Sequence, residues 1–275
     1  MKRLAIILTL ASVIQTQGQT DGDTWQKVKS TKSGTLMCLW NEAYGIAYKD
    51  QTGTLRGVCV DILEDLRVYV KTKYQVDLSI EYREEKSFPA FLSSIGKSAT
   101  LLGVSTVSVT EERKKRFQFS PYFISNPNII VTHKDAPKLS SLKEIPTVYK
   151  GYSMKVIAGS THKEIAASLK SRYAPDLTIL DGTTSRAIFN EMRTNKALFT
   201  IIDFGEYLGA HKNKFPIARQ PADLGTDDKL AFIMGKHSDW EPLWREFLTD
   251  EYRKSPRYRK IISENLGLAY LGMIQ

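Results

Sequence analysis

A chain of 275 residues exceeds the usual size of a single hydrophobic core, so it accommodates one large domain or two moderate lobes. Its residues are 42% hydrophobic and 25% charged, which excludes disorder for the bulk of the sequence. The formal net charge is +9, but acidic residues interrupt the basic runs and no zinc-finger or RNA-binding motif occurs, so we expect no nucleic-acid partner.

The first residues have the pattern of a secretory signal peptide. Lys2 and Arg3 precede an apolar run over residues 4–14, and small and polar residues follow, which predicts a signal peptide over residues 1–18. The alternative, a membrane anchor, needs about 20 apolar residues to span a bilayer, and this run is shorter. Removal of the two cations would leave a net charge of +7 (9 − 2) on a periplasmic or secreted protein.

The chain has two cysteines, Cys38 and Cys59, and an oxidising compartment would allow them to form one disulfide. Both cysteines have apolar neighbours, and buried thiols fit that setting equally well. The sequence therefore leaves one disulfide and two free thiols as alternatives.

Strand and helix patterns alternate through the first half of the chain. Strands are predicted over residues 35–40, 76–82 and 101–104. The first intervening helix is predicted to be capped by Asp61, which has capping-box spacing with Glu64, and the second by Ser87.

The alternation restarts further along the chain. Strands are predicted over residues 154–158, 177–180 and 198–202, and helices over residues 161–169, 184–192, 240–248 and 256–265. Strands that alternate with helices predict parallel or mixed sheets covered on both faces. Two such units in series predict two lobes, and the residues near 125–128 and 224–228 are the predicted crossings between them.

The sequence contains no motif that predicts a metal, a cofactor or a nucleophilic serine. Gly96-Lys97-Ser98 ends like a phosphate-binding loop, but Phe91 stands where that loop needs a glycine. The four histidines lack metal-ligand spacing with one another or with a cysteine, and no Gly-x-Ser-x-Gly sequence occurs. We therefore predict neither a metal ion nor a cofactor.

Two polar segments follow predicted strands, where the ligands of open α/β sheets bind. Ser160 and Thr161 begin a helix whose free N–H groups attract anions, although these residues taken alone favour a simple helix cap. Asp203 follows a strand and is either a ligand contact or another cap. Phe88 and Tyr44, taken alone, are typical core residues.

The stretch STVSVTEERKKRFQFSPY, residues 105–122, joins a hydroxyl-rich strand end to Thr-x-x-Arg, a short spacer, Phe-Ser and an aromatic residue. Together with Phe88 and residues 57–63, it resembles the family 3 extracellular solute-binding proteins, the amino-acid-binding receptors of ABC importers. The resemblance covers roughly residues 33–268.

The resemblance implies an α/β chain with the two-lobed type II periplasmic-binding-protein fold. Each lobe of that fold is a mixed sheet flanked by helices, and two crossings form the hinge. Lobe 1 would contain residues 33–126 and 226–275, and lobe 2 would contain residues 127–225.

The resemblance also implies a ligand, an amino acid or a related small carboxylate, held between the lobes. Arg113 matches the residue that clamps the α-carboxylate, for which a guanidinium fork is well suited, and Asp203 matches the acid that receives the α-ammonium. Thr161 matches the carboxylate contact of the second lobe. The other matches are two hydroxyl or backbone contacts and the aromatic walls: Thr106, Ser108, Phe88, and either Tyr44 or Trp40.

The chain departs from the usual family pattern near the predicted site. Cys59 stands where an acidic residue is usual, and Leu101-Leu102 stands where Asp-Ala is usual; both changes affect packing more than binding. The first strand ends without a clear acid at the position that receptors for basic amino acids use. This disfavours lysine or arginine as the ligand, although Glu42 is close enough to leave the question open.

The function implied by the resemblance is capture of an amino acid and its delivery to the membrane permease of an ABC importer. A periplasmic dehydratase of the cyclohexadienyl or arogenate type on the same fold is the enzymatic alternative, but only Glu42 and His162 are candidates for its general acid or base. A ligand-sensing subunit for a separate membrane partner is the third interpretation.

Overall fold

The computed structural model describes residues 21–272, and the predicted signal peptide over residues 1–18 lies outside them. The strands are β1 (Ser33–Trp40), β2 (Tyr48–Lys49), β3 (Leu55–Arg56), β4 (Asp77–Glu84), β5 (Leu102–Val104), β6 (Phe117–Phe119), β7 (Ile124–His133), β8 (Ser153–Ile157), β9 (Thr178–Gly182), β10 (Leu198–Asp203), β11 (Ile217–Leu230) and β12 (Ile233–Gly235). The α-helices are α1 (Trp25–Thr31), α2 (Val58–Tyr74), α3 (Phe88–Lys97), α4 (Glu111–Arg116), α5 (Ile145–Val148), α6 (Thr161–Tyr173), α7 (Ser185–Met192), α8 (Phe204–Lys212), α9 (Glu241–Phe247), α10 (Asp250–Lys254), α11 (Pro256–Leu266) and α12 (Leu268–Leu271). A short 3₁₀ helix spans Leu142–Glu144. None of these helices has both the length and the apolar character that crossing a membrane requires.

Two five-stranded sheets flanked by helices organise the described chain. The first sheet has the strand order β4-β1-β5-β12-β6, and the second has the order β11-β7-β10-β8-β9. In the first sheet β1 runs parallel to β4 and β5, whereas β12 runs antiparallel to β5 and β6. In the second sheet β8 runs parallel to β9 and β10, whereas β7 runs antiparallel to β10 and β11. The predicted α/β architecture of mixed sheets flanked by helices is therefore confirmed.

The chain passes between the two sheets along two paired strands. After β6 in the first sheet, the chain enters the second sheet as β7. It returns from β11 of the second sheet to β12 of the first. Where they pass between the sheets, Asn126 lies opposite Asp228 and Pro127 lies opposite Asp227 in an antiparallel pair. Both predicted crossings thus lie side by side in one two-stranded ribbon. The exact limits of the two lobes stay a prediction.

Two helices begin at side-chain caps: Ser87, which is the predicted cap, and Thr184, which is the predicted first residue of its helix. The Ser87 side chain accepts a hydrogen bond from the Ala90 N–H at 3.3 Å, and the Thr184 side chain accepts one from the Ala187 N–H at 3.1 Å. Each bond satisfies one of the free N–H groups in the first turn of a helix. The starts of α3 and α7 are therefore fixed by local sequence.

The prediction that Asp61 caps the first long helix is wrong. α2 begins at Val58, and Gly57 is its N-cap. Gly57 has a φ of +130°, and a Cβ at this position would lie 2.2 Å from the Ile46 carbonyl oxygen, so the turn requires glycine. Asp61 lies in the first turn of α2, where a carboxylate is favourable, and accepts a hydrogen bond from Asn265 Nδ2 at 2.7 Å.

The helices of the second sheet pack against a loop of the first. The larger cluster of buried apolar side chains surrounds the first sheet and extends into α7 and α8. Tyr44, which follows β1, is buried against Phe215 and Phe189, with ring centroids 5.2 Å and 6.4 Å apart. A smaller cluster that includes Met154 and Phe199 lies in the second sheet. The loop after β1 therefore ties the two halves together.

Cys38 on β1 and Cys59 on α2 are buried free thiols. Burial raises the pKa of both thiols, so neither is a reactive thiolate at neutral pH. Of the two alternatives that the sequence leaves open, the structure has the free thiols.

Candidate ligand-binding site

A small cavity lies between the two sheets. Its walls come from the segment after β1, the segment after β5, the N-terminal ends of α3 and α6, one face of α4 and the end of β10. The cavity volume is about 10 Å³, which is room for about one water molecule. Six predicted site residues line it: Phe88, Thr106, Ser108, Arg113, Thr161 and Asp203. Asn41, Glu42 and His162 also line it. The sequence suggests Glu42 and His162 only as acid–base groups of the enzymatic alternative, with Glu42 also open as an acid for a basic ligand, and it does not suggest Asn41.

Arg113 is the cation of this cavity. It lies in α4, and its backbone N–H donates to the Oγ1 of the N-cap Thr110 at 3.2 Å. Its guanidinium Nη1 donates to the Ser108 carbonyl oxygen at 3.1 Å, and the group lies 5.7 Å from the centre of the Phe88 ring. Burial lowers the pKa of Arg113, and the carboxylate of Glu164 acts in the opposite direction. Among the described residues this partly buried cation has no ion-pair partner.

Two hydroxyl groups meet across the cavity. The Ser108 and Thr161 oxygens lie 3.2 Å apart, and Ser108 Oγ also donates to Asp228 Oδ2 at 2.6 Å. Thr161 is the first residue of α6, and the N-cap Ser160 directs its hydroxyl to the Ile157 carbonyl oxygen instead of capping the helix. The N–H groups of the first turn of α6 are therefore not capped by Ser160, and the positive end of the helix faces the cavity.

Asp203 is the buried anion at the end of β10. Asn126 Nδ2 donates to Asp203 Oδ1 at 2.7 Å, and Asp203 Oδ2 lies 3.8 Å from His162 Nε2. The same His162 nitrogen lies 2.9 Å from Asn128 Oδ1. Burial lowers the pKa of His162, but contact with Asp203 outweighs this and raises it. A protonated His162 would therefore balance part of the negative charge of Asp203.

Glu206, in the first turn of α8, is a second buried acid that sequence analysis missed. Ser185 Oγ donates to Glu206 Oε1, and the Tyr44 N–H of the facing loop lies 3.4 Å from the same oxygen. Glu206 Oε2 has no hydrogen-bond partner among residues 21–272. Burial, with the nearby charge of Asp203, raises the pKa of Glu206 to about 8. This carboxyl is therefore largely protonated at neutral pH.

Trp40 and Tyr44, the alternatives for the second aromatic wall, do not line the cavity. Both side chains are buried, Trp40 at the end of β1 and Tyr44 among the aromatic residues of α7 and the loop after α8. Lys49 Nζ lies 5.3 Å from the centre of a Trp40 ring, so that ring faces the β2 side. The residues between them, Asn41 and Glu42, face the cavity instead.

An ion pair crosses between the two halves beside the cavity. Arg186, in α7, donates through Nε to Glu42 Oε1 at 2.7 Å. Burial raises the pKa of Glu42, and the charge of Arg186 opposes this. Glu42 therefore lines the cavity as a carboxylate that is already paired.

The described residues contain no group of three or more histidine, cysteine or acidic side chains arranged to hold a metal ion. The cavity brings together the guanidinium of Arg113, the carboxyl groups of Asp203 and Glu42, the imidazole of His162, hydroxyl groups and a helix N-terminus.

Known proteins share both the sequence pattern and the fold. A model of the family "bacterial extracellular solute-binding proteins, family 3" matches residues 37–265. No curated protein sequence shows significant similarity to the chain. Among solved structures, an ABC uptake transporter substrate-binding protein from Streptococcus pneumoniae with bound histidine is 16% identical, with a TM-score of 0.72 over 91% of this chain and 99% of that chain.

The structures of two ancestral proteins are also similar to this chain in fold. An ancestral arginine-binding protein bound to glutamine is 19% identical, with a TM-score of 0.70 over 85% of this chain and 98% of that chain. An ancestral amino-acid-binding protein, a precursor of cyclohexadienyl dehydratase, is 19% identical, with a TM-score of 0.71 over 88% of this chain and 98% of that chain. These similarities confirm the two-lobed type II periplasmic-binding-protein fold. Because the family model spans most of the sequence, the chain belongs to the bacterial extracellular solute-binding proteins, family 3.

Proposed function

We propose that the protein is an exported receptor that closes two lobes around an amino acid and delivers it to the membrane permease of an ABC importer. The observation that carries this proposal is Arg113, a partly buried guanidinium that lines the cavity without an ion-pair partner among the described residues. Removing a cation from water without pairing it is costly. A ligand carboxylate would relieve this cost through two parallel hydrogen bonds to the guanidinium.

The same cavity offers partners for the rest of an α-amino acid. Asp203 would receive the α-ammonium, and the Thr161 hydroxyl, at the uncapped start of α6, would bind the second carboxylate oxygen. Thr106 and Ser108 would add hydroxyl or backbone contacts, and Phe88 would cover the ligand side chain. Trp40 and Tyr44 would support the wall from behind it.

Binding would be coupled to movement of the lobes. The contacts come from both halves of the molecule, Arg113 from the first and Thr161 and Asp203 from the second, so a ligand gains its full set only when the halves are together. A cavity of about 10 Å³ has room for about one water molecule, so entry of an amino acid would require the halves to separate at the β7–β11 ribbon. Differential contact of this kind drives ligand-induced closure.

We favour a binding protein over a dehydratase because the cavity is lined by an acid, Asp203, that could receive the α-ammonium of an amino acid. Glu42 is paired with Arg186, and His162 Nε2 lies against Asn128 and Asp203. His162 Nδ1 has no hydrogen-bond partner among the described residues, so His162 is the group that a dehydratase would use as its general acid or base. A sensing subunit would use the same closure, so the choice between transport and sensing depends on the membrane partner.

A thermal-denaturation screen of the purified protein against the twenty amino acids tests the proposed function. A ligand present at 100 times its dissociation constant should stabilise the protein by about 2.7 kcal/mol, which is a shift of several degrees in Tm. We expect at least one L-amino acid to produce such a shift and its D-enantiomer to produce a smaller one. A protein that responds to none of them would refute the proposal, and dehydration of prephenate or arogenate by that protein would support the enzymatic alternative instead.

A further inference from the structure

Glu42 is a charged cavity group that the proposed function leaves without a role. It lines the cavity together with Arg113 and Asp203, and its side chain is 15% exposed. If Arg113 and Asp203 hold the ligand's carboxylate and ammonium, Glu42 is the remaining acid that the ligand side chain can meet. A free carboxylate at this position would attract a cationic side chain.

Arg186 prevents the Glu42 carboxylate from being free. The guanidinium is held at three points of the facing segment: it donates to Glu42 Oε1 at 2.7 Å, donates to the Lys49 carbonyl oxygen at 3.0 Å, and lies 4.7 Å from the centre of the Tyr44 ring. A planar guanidinium fixed in this way keeps one geometry, unlike a flexible lysine ammonium. Arg186 itself does not line the cavity.

We propose that Arg186 is a specificity-determining residue: it pairs with Glu42 and so makes the site reject amino acids with cationic side chains. This inference rests on the proposed function. The pair leaves Glu42 no unpaired charge to offer a ligand, and a zwitterion with a neutral side chain adds no net charge to the cavity. A lysine or arginine ligand would bring a further cation toward a carboxylate that is already paired. Rejection by an unfavourable charge is a common source of specificity.

Calorimetric titration of the full chain with L-glutamine, L-lysine and L-arginine tests this role. L-glutamine and L-lysine have side chains of similar length, but only the second is cationic. In the wild type we expect L-glutamine to bind at least about tenfold more tightly than either cation. In Arg186→Met, which keeps the aliphatic length and removes the charge, we expect the preference to shift by at least about tenfold toward L-lysine and L-arginine.

Arg193→Met is the matched control, because Arg193 lies at the end of the same helix and its guanidinium packs over Phe215, away from Glu42. This variant should keep the wild-type preference. The double variant Glu42→Gln/Arg186→Met should lose the gain for cationic ligands, since no carboxylate remains to attract them.

The outcomes separate the inference from the proposed function. A wild-type protein that binds none of the twenty amino acids defeats the proposed function, and the inference with it. A wild-type protein that prefers L-lysine or L-arginine to L-glutamine overturns the inference alone. An Arg186→Met variant whose affinities for all three probes change by the same factor also overturns it, because Arg186 would then only hold the two halves together. If Arg186→Met does not fold, Glu42→Gln decides, since a preference for L-glutamine that falls in this variant contradicts the inference.

Discussion

Replacement of Arg113 by alanine should weaken amino-acid binding by at least about 100-fold. A charge-assisted hydrogen bond contributes about 1.5–3 kcal/mol, and the variant loses two of them from the ligand carboxylate, which amounts to about 3–6 kcal/mol. Arg113→Lys should recover only part of the loss, because an ammonium keeps the charge but cannot form the two parallel hydrogen bonds of a guanidinium. Calorimetric titration with the amino acid identified by the thermal screen measures both effects.

Lys115 provides the control for Arg113. It lies two residues further along α4 and is exposed, so Lys115→Ala removes the same charge from the same helix without touching the cavity. This variant should bind as the wild type does. The assignment of Arg113 fails if Arg113→Ala folds with an unchanged circular dichroism spectrum and still binds within about threefold of the wild type.

Stability should fall as the pH rises, and Glu206 should be the main cause. The pKa of its carboxyl is raised from an ordinary value of 4.5 to about 8 by burial and by Asp203. At a pH between these two pKa values the folded protein binds more protons than the unfolded chain. The stabilisation from the Glu206 proton is therefore complete below pH 4.5 and is lost as the pH rises through about 8. Between about pH 5.5 and about pH 8.5 the free energy of unfolding should fall by about 3 kcal/mol.

Other ionisable groups either lower the stability as the pH rises, as Glu206 does, or titrate outside this pH range. His162 and Glu42 also have raised pKa values, so each adds to the loss of stability as the pH rises. The lowered pKa of Glu246, about 2, affects stability only in acid. Glu206 faces Ser185 of α7, the Tyr44 backbone, Asp203 and His162. The charge of Asp203 raises the pKa of Glu206, and the charge of His162 lowers it by a smaller amount.

Urea unfolding at several pH values measures this dependence, and Glu206→Gln isolates its source. Glutamine keeps an oxygen that can accept from Ser185 and cannot ionise. The variant should therefore lose most of the decline between about pH 5.5 and about pH 8.5. A wild-type stability that is flat or that rises across this range would contradict the account of Glu206.

Much of the sheet and helix order was predictable because it depends on local sequence. Local apolar patterns predicted β1, β4 and β5, and the side chain of Ser87 begins α3 as predicted. The start of α1 was missed because its support is distant: the Trp25 N–H donates to Asp239 Oδ1, which lies 214 residues away in sequence. A polar helix of seven residues has little tendency to form without such a contact.

The hinge ribbon was only partly predictable. Residues 125–128 were predicted as a crossing between the lobes, and in the structure they lie inside the long strand β7, with Pro127 among them. The pairing of β7 with β10 begins at the next residue, Asn128, so the missing N–H of Pro127 breaks no hydrogen bond to β10. Pairing with β11, whose partner residues lie 84 (217 − 133) to 106 (230 − 124) positions further along the chain, made this segment a strand, and no local pattern contains that information.

Local sequence predicts one part of the candidate site, and the packing of the two halves determines the other part. Arg113, Thr161 and Asp203 lie in stretches whose local pattern resembles the family, and the structure brings them to one cavity. The pair of Glu42 and Arg186 joins residues 144 positions apart, and its existence follows from how the two halves pack. Sequence analysis noted Glu42 but had no means of predicting that its charge is balanced.

The central claim is that Arg113 binds the carboxylate and Asp203 the ammonium of one amino acid. The most direct test is calorimetric titration of the wild type with the amino acid found in the thermal screen, with its α-amide and with its N-acetyl derivative. The account predicts that each derivative, which lacks one of the two charges, binds at least about 100-fold more weakly than the parent. Equal affinity for the parent and either derivative would contradict it.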